Sequence, residues 1–400
     1  MERIGVGVIG TGDISSIYLR NLNLFAGVRV VACAGRNRDA ATRRAAQFGI
    51  EALDVDQLLK RDDIGIVVNL TPPASHADVT RDALSADKHV FSEKPLAVEA
   101  ATGRALVAEA RSRSLLLGCA PDTFLGAGGR LARGVIDAGE IGTVTSGVCM
   151  FLSSGMEHRH PNPEFFFKAG GGPVLDIGPY YLTTLVNLLG PVASVQAEAS
   201  TGFRERLVTA AGPQQGRRIL VETPTTIMAL LKFRSGAVVN AMFSWDVRLH
   251  GRQLIEIHGN AGTMLVPDPD TYGGSVSIGI GGGAWDVRGS DTAPLGHPNW
   301  SPSGDPSQQF ANYRGLGVAE MSSAILLGKP HRSSGVLASH VLDMMESILV
   351  AAGERRTVDI DSCPRRPEVL SEDDALELTK LKLRPSTMLA AHAGVDQPLN

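Results

Sequence analysis

Cysteine is scarce in this chain, with four among 400 residues, at Cys33, Cys119, Cys149 and Cys363. No two form a Cys-x-x-Cys pair, so a cysteine-based metal motif or a disulfide framework is not expected; reduced, mostly buried thiols in a cytosolic setting are. The formal net charge is only -4 and no basic stripe stands out, which argues against nucleic acid as a partner. No uncharged stretch approaches the roughly 20 residues of a membrane helix. The N-terminal apolar run, Ile4 to Ile9, is too short for a signal peptide and runs straight into a glycine turn. A soluble, cytoplasmic protein with no membrane partner is expected.

What is present is an ordinary globular composition, 43% apolar and 20% charged. A chain of this length exceeds one ordinary core and predicts two domains. In the first third, strand-like and helix-like segments alternate. Strands are predicted at Ile4 to Ile9, Val28 to Ala34, Ile64 to Leu70, His89 to Phe91 and Leu115 to Leu117. Helices are predicted at Ser15 to Asn23, Arg38 to Phe48 (closed by Gly49), His76 to Ser85 and Val98 to Ser112. This rhythm predicts an α/β Rossmann domain, a doubly wound parallel sheet over residues 1–122, with ligands at the carboxyl edge of the strands.

After that the texture changes. A helix from Gly129 to Ala138 leads into strands at Val144 to Leu152, Val192 to Ala199, Ile227 to Phe233, Ala237 to Trp245 and Gln253 to His258. A helix is predicted from Asp176 to Leu189, and further helices at Ala319 to Leu327 and Val336 to Ala352. Gly273 to Gly304 reads as a long loop. The reading is an α+β domain over residues 123–365 with a largely antiparallel open sheet, followed by a tail, residues 366–400, whose end is expected to be poorly ordered.

Gly10-Thr11-Gly12-Asp13-Ile14 directly follows the first strand and opens a helix. Gly10 permits the tight turn, Gly12 lets a pyrophosphate approach the backbone, and the helix N-terminus offers free amides to that anion. Ser15 replaces the third glycine of the motif. At the end of the second strand, where NAD sites often carry an acid, this chain has Ala34-Gly35-Arg36. Arg36 can meet a 2′-phosphate as a bidentate donor, which favours NADP over NAD; it can also stack on adenine or point into water.

Two further blocks carry chemistry. Thr71-Pro72-Pro73 and His76 follow the third strand, and Glu93-Lys94-Pro95 follows the fourth. With the glycine loop, these resemble the Gfo/Idh/MocA oxidoreductase family over nearly the whole chain. The resemblance implies that Pro95 belongs to a cis turn near the nicotinamide, that Thr71, Pro72, His76 and Glu93 help form the cofactor site, and that Lys94 contacts the reacting hydroxyl. Gly170 to Tyr180 resembles the family's substrate-domain helix, where an aspartate, here Asp176, precedes the proton-transferring group by four residues. Many members have histidine at that later position; this chain has Tyr180, as some members do. The family's later aspartate is also absent, with Thr183 or Thr184 nearby. Marks of a less characterised branch are present at Ala120 to Gly126, His160 to Glu164, Asn312-Tyr313-Arg314-Gly315 and His331 to Gly335. The resemblance also implies a homodimer or homotetramer paired through the second domain's sheet.

Hydride transfer at an alcohol carbon needs a group to take the proton and a group to stabilise the oxygen. Tyr180 and Lys94 suit these tasks, with the lysine charge expected to lower the tyrosine pKa. Lys94 itself as acid/base is the alternative. Taken singly, Lys94 reads as a surface lysine, Tyr180 as a packed aromatic and Asp176 as a helix cap. Asp122, His158, His160 and Asn162 are candidates for the pocket, with Asp122 and His160 taken as substrate-binding. His158-x-His160 lacks the set that would complete a metal site, so no metal is expected. His340 and Asp343 suggest an internal hydrogen bond, and Trp245 a core or interface position. The expected activity is oxidation of a CH–OH group in a sugar, sugar derivative or cyclic polyol, or reduction of the matching ketone. A retained-cofactor enzyme that cleaves glycosides or epimerises, and a non-catalytic sugar- or dinucleotide-sensing regulator, remain open.

Overall fold

The computed structural model describes residues 3–251 and 254–379. Six strands build the first domain: β1 (Ile4–Ile9), β2 (Val28–Ala34), β3 (Glu51–Leu53), β4 (Ile66–Asn69), β5 (His89–Ser92) and β6 (Leu117–Cys119). They lie in the order β3-β2-β1-β4-β5-β6 and all pair in parallel. Val6, Val8, Ile66, Val67, Val68, Val90 and Phe91 are fully buried, as expected of a sheet covered by helices on both faces. The order reverses between β1 and β4, and that switch point opens a crevice at the carboxyl edge.

Local chemistry sets the boundaries. The helix Arg38–Phe48 starts where the Asn37 side chain accepts the Ala40 amide at 3.0 Å and stops at Gly49, with φ +66°. The three-residue edge strand β3 was not predicted, being too short for a periodic signal. The last strand lies two residues later than expected, because Leu115 N still donates to Ala110 O at 2.9 Å and Ser114 turns with φ +56° as the preceding helix closes.

The second domain contains β7 (Val144–Leu152), β8 (Val192–Ser200), β9 (Glu205–Leu207), β10 (Arg218–Leu220), β11 (Thr226–Phe233), β12 (Val238–Ser244), β13 (Ile255–Gly259), β14 (Gly262–Val266), β15 (Ser275–Ile280), β16 (Asp286–Gly289) and β17 (Val358–Asp359). Nine of them form a sheet ordered β16-β15-β14-β13-β7-β12-β11-β8-β17. Only β7 and β12 pair in parallel, so the sheet is mixed and mostly antiparallel. In β11, Ile227, Ala229, Leu231 and Phe233 are buried while Met228 and Leu230 are exposed, the alternation of a one-sided sheet.

The expected loop from Gly273 to Gly304 is corrected: it contains β15 and β16. Its glycines mask the alternation of Val276 and Ile278 into the core, and Trp285 packs against the space beside Gly279. The helix Gly335–Glu354 is apolar and long enough to cross a membrane by length and composition, although Asp343 and Glu346 interrupt it, so the expectation that no uncharged stretch of that length exists is unaffected. Here it packs on β8, on the helix Ala100–Ser112 of the first domain and on the helix Gly178–Leu189 of the second, so it is the core helix that joins the two.

His340 on that helix bonds neither Asp343 nor any neighbour on its own helix. Its Nε2 accepts the Val192 amide at 3.1 Å and its Nδ1 meets Ser362 Oγ at 2.7 Å, while Asp343 pairs with Arg104 across the domain junction. Trp245 is fully buried beside Phe166 and Phe167 in a small second core. Within the C-terminal segment, the helix Glu372–Leu378 buries Ala375 and Leu378, and Leu378 O accepts the Ala26 amide at 3.0 Å. The expectation about the end of the tail concerns residues 380–400, which lie outside the described residues.

Candidate active site

Four loops meet at the carboxyl edge of the parallel sheet because ladder-like bonds continue past the strand ends. Gly10 N donates to Ala34 O (2.8 Å), Leu70 N to Ile9 O (2.7 Å), Glu93 N to Asn69 O (2.8 Å) and Ala120 N to Ser92 O (2.9 Å). The glycine loop lies on one of them. Gly10 has φ +111°, and a Cβ there would sit 2.5 Å from the Leu70 carbonyl. Gly12 caps the helix Asp13–Leu22, and a Cβ there would meet nothing within 4 Å. The loop therefore leaves open space in front of the first amides of a helix, the cradle a pyrophosphate needs. Ser15 is fully buried and its Oγ donates to Gly12 O at 2.6 Å, closing the turn.

Arg36 is exposed at the end of β2, and Arg38 is engaged by Asp54 and the Ala52 carbonyl. Arg44, from the next helix, donates to Gly12 O at 3.3 Å, which brings a second guanidinium to the same corner. Thr71 folds back on Asn69, its Oγ1 donating to Asn69 Oδ1 at 2.7 Å, and Pro72 caps the helix Pro73–Ser85. His76 is buried beneath these turns. Its Nδ1 lies 2.6 Å from Pro95 O and its Nε2 2.7 Å from Thr71 O, so it clips the two loops together from below. Glu93 is likewise buried, accepting the Tyr18 hydroxyl and the Lys94 amide, both at 2.9 Å, and so ties the first helix to the lysine loop. The Lys94–Pro95 peptide is cis, as is Ala120–Pro121.

Lys94 reaches across to the second domain. Its ammonium donates to Asp176 Oδ1 at 2.9 Å and also to the Asp176 backbone carbonyl, and lies 5.5 Å from the centre of the Tyr180 ring. Burial works against its charge, but Asp176, Tyr180 and Glu93 outweigh it and hold its pKa above the ordinary lysine value. Asp176 and Tyr180 were expected on one helix but lie on two. Asp176 ends a short helix, Pro173–Asp176, and a new one, Gly178–Leu189, begins after Ile177, because Pro179 has no N–H to continue the first. Thr183 and Thr184 are buried within the second helix.

The Tyr180 hydroxyl faces Arg314, whose Nη1 donates to it at 2.8 Å; the other arm of that guanidinium, Nη2, donates to Asp270 Oδ1 at 2.8 Å. The expected lowering of the Tyr180 pKa is corrected. Burial raises it, and the pull of Arg314 and Lys94 does not overcome that, so the phenol stays protonated well above its ordinary value.

Asp122 is 1% exposed, and both of its carboxylate oxygens are engaged within the protein. Its Oδ1 accepts the Tyr272 hydroxyl and its Oδ2 the amides of Gly315 (3.2 Å) and Gly317 (2.8 Å). It anchors both loops that carry the Arg314–Asp270 pair. His160 packs edge-on against Phe165 and Phe166 and accepts the Asn162 amide at 3.1 Å; none of these contacts reaches Lys94 or Tyr180. His158 meets Thr209 Oγ1 at 2.6 Å. Among the described residues, no group of three or more His, Cys, Asp or Glu side chains is placed to hold a metal. Arg314 and Asp270, which the structure brings to the Tyr180 hydroxyl, are not among the site residues expected from the sequence. Arg314 stood in a quoted motif without a role, and Asp270 carried no local signal at all.

A glycine cradle at the switch point of a 3-2-1-4-5-6 sheet, with a lysine and a tyrosine facing it, defines an NAD-binding Rossmann oxidoreductase. Residues 4–120 match the oxidoreductase family with an NAD-binding Rossmann fold, and residues 130–265 match the GFO/IDH/MocA C-terminal domain. The chain is 35% identical over 271 residues to a dTDP-3,4-didehydro-2,6-dideoxy-alpha-D-glucose 3-reductase of Saccharopolyspora spinosa, covering 66% of this chain and 74% of that protein. It is 26% identical over 290 residues to levoglucosan dehydrogenase of Pseudarthrobacter phenanthrenivorans, with the same coverage of 66% and 74%. A solved levoglucosan dehydrogenase in complex with NADH and L-sorbose shares the fold with a TM-score of 0.75 at 22% identity, over 90% of this chain and all (100%) of that one. The chain belongs to the Gfo/Idh/MocA family and is an oxidoreductase.

Proposed function

We propose that this enzyme interconverts a secondary alcohol and a ketone on a sugar, sugar derivative or cyclic polyol, using NADP. The observation that carries this reading is the Lys94 ammonium, bonded to Asp176 and set against the Tyr180 ring beside the carboxyl edge of the dinucleotide sheet. A nicotinamide dinucleotide, when bound, supplies or takes the hydride. An ammonium has three N–H donors and Asp176 occupies two, so Lys94 keeps one for the reacting oxygen. Tyr180, protonated, gives its proton to that oxygen in reduction and takes it back in oxidation. The named relatives act on a dTDP-linked deoxysugar or on levoglucosan, which supports a carbohydrate or polyol as substrate.

Preference for NADP is supported by the lack of an acid at the end of β2 and by the two guanidinium groups, Arg36 and Arg44, near the place of a 2′-phosphate. A homo-oligomer paired through the open sheet face is supported by the exposed apolar side chains Met228, Leu230 and Val238.

The test is nicotinamide absorbance with NAD and NADP separately, across monosaccharides, levoglucosan, inositols and their keto forms. Turnover with one class, lost in Lys94→Met, is expected. Tight dinucleotide binding with silence across the panel would instead favour a regulator or an enzyme that retains its cofactor. Arg36→Ala and Arg44→Ala are each expected to weaken NADP binding by roughly tenfold or more while sparing NAD, the value of a charge-assisted phosphate contact.

A further inference from the structure

We infer that Arg314, held by Asp270, is a positioning residue that aims the Tyr180 proton away from the protein and toward the substrate oxygen. The inference rests on the proton-transfer role proposed for Tyr180. A phenol oxygen carries one proton and can accept through its lone pairs, whereas a guanidinium can only donate. Arg314 Nη1 donates to the Tyr180 oxygen at 2.8 Å, so the hydroxyl cannot spend its proton on Arg314. No other hydrogen bond to that oxygen is formed by the described residues. The free O–H is therefore the one bond of this side chain left for a ligand.

The arrangement is built rather than incidental. Arg314 is 14% exposed, and its other arm is pinned by Asp270 at 2.8 Å. The loops bearing the two residues are both fastened to Asp122, one through the Gly315 and Gly317 amides and the other through the Tyr272 hydroxyl. Gly315, at φ +98°, turns the chain against Leu22 and Tyr18 of the first helix. One buried carboxylate at the domain junction thus sets the orientation of an acid that lies on another element.

In the reductive direction the Tyr180 O–H bond breaks as the substrate O–H bond forms. The phenolate left behind keeps the Arg314 N–H as its donor, and water returns the proton. The charged groups acting on Tyr180 are Arg314 and Lys94, which favour the phenolate, and Asp270 and Glu93, which oppose it; Tyr272 lies close to the same set.

The test compares Arg314→Met, which removes donor and charge, with Arg314→Lys, which keeps both. Asp270 is 41% exposed, so water can solvate it when its partner is lost, and thermal denaturation checks that the variants fold. With NADP and levoglucosan or myo-inositol, Arg314→Met is expected to lose roughly tenfold to a hundredfold in kcat with KM within about threefold. Its oxidation profile should shift to higher pH, and Arg314→Lys should restore most of the rate. A readout free of turnover is the NMR signal of labelled tyrosine Cζ. Tyr180→Phe assigns the Tyr180 signal, Arg314→Met should move it and Arg314→Lys should return it. An unmoved signal in Arg314→Met would overturn the inference, as would equal impairment of the Met and Lys variants with an unshifted profile. Turnover retained in Tyr180→Phe would overturn the underlying reading and the inference with it. A dead Tyr180→Phe beside an unimpaired Arg314→Met would overturn the inference alone.

Discussion

Lys94 meets Asp176 twice, at a carboxylate oxygen 2.9 Å away and at the backbone carbonyl of the same residue. The two residues stand 82 positions apart in sequence and on different domains, so this contact ties the lysine loop to the second domain. Its consequences can be measured.

Lys94→Met should lower kcat by on the order of a hundredfold to a thousandfold, the cost of removing a donor from a developing oxyanion. Asp176→Asn should cost less, about tenfold, because the backbone carbonyl still holds the ammonium. The folded Lys94 pKa lies above its ordinary value of 10.5, so the pair's contribution to stability is complete below that pH and is lost as pH rises beyond it. The Tm difference between wild type and Asp176→Asn should therefore stay constant from neutral pH to about 10 and narrow only above.

Burial holds the Tyr180 phenol in its protonated form well past neutral pH. Reduction, which uses the phenol, should show a flat rate from neutral pH up to the ordinary tyrosine value of 10.0. Oxidation, which needs the phenolate, should climb with pH over the same range. An oxidation rate that is level between pH 7 and 9 would exclude Tyr180 as the base.

Gly10 and Gly12 should respond in opposite ways to alanine. Gly10→Ala forces φ +111° on a β-carbon that would sit 2.5 Å from the Leu70 carbonyl, and should destabilise the fold by about 2 kcal/mol or more in chemical denaturation. Gly12→Ala meets only open space, so stability should be kept. Its methyl group would occupy the approach of the pyrophosphate, and the dinucleotide Kd should rise at least about tenfold.

Burial depresses the pKa of His340 to about 4, and of His331 to the same range, about 4. A histidine depressed in the folded state binds its proton more readily when unfolded, so stability falls as pH drops from the ordinary 6.5 toward 4. Each contributes a loss of up to about 3 kcal/mol. His340→Gln, which keeps an acceptor for the Val192 amide, should make the acid side of a Tm-against-pH curve markedly less steep.

Much of the first domain was legible because its signals are local. The helix Arg38–Phe48 appeared with its observed bounds, since Gly49 marks its end by a chemistry that needs no distant partner; the Asn37 cap at its start emerged only in the structure. Lys94 and Tyr180 stood out through motifs resembling those of a family, and the structure sets one beside the other. Asp122 was legible as a polar residue at a junction but not in its role, because only Gly315, Gly317 and Tyr272 decide where its oxygens go. The strands β15 and β16 were hidden by a glycine-rich stretch, of which Gly279 packs against Trp285, a contact that exists only in the folded sheet.

By itself the sequence determined the periodic burial of the strands, the helix caps, the glycine turn and the residue types available for proton and hydride chemistry. All of these depend on neighbours within a few positions, where steric and hydrogen-bonding rules act directly on the chain. The tertiary structure alone decided that burial raises the Tyr180 pKa, that Arg314 rather than Lys94 bonds its oxygen, and that Asp122 is bonded by Tyr272, Gly315 and Gly317. Burial and long-range charge set those outcomes, and both are properties of groups brought together from residues 94 to 317 that no local spacing encodes.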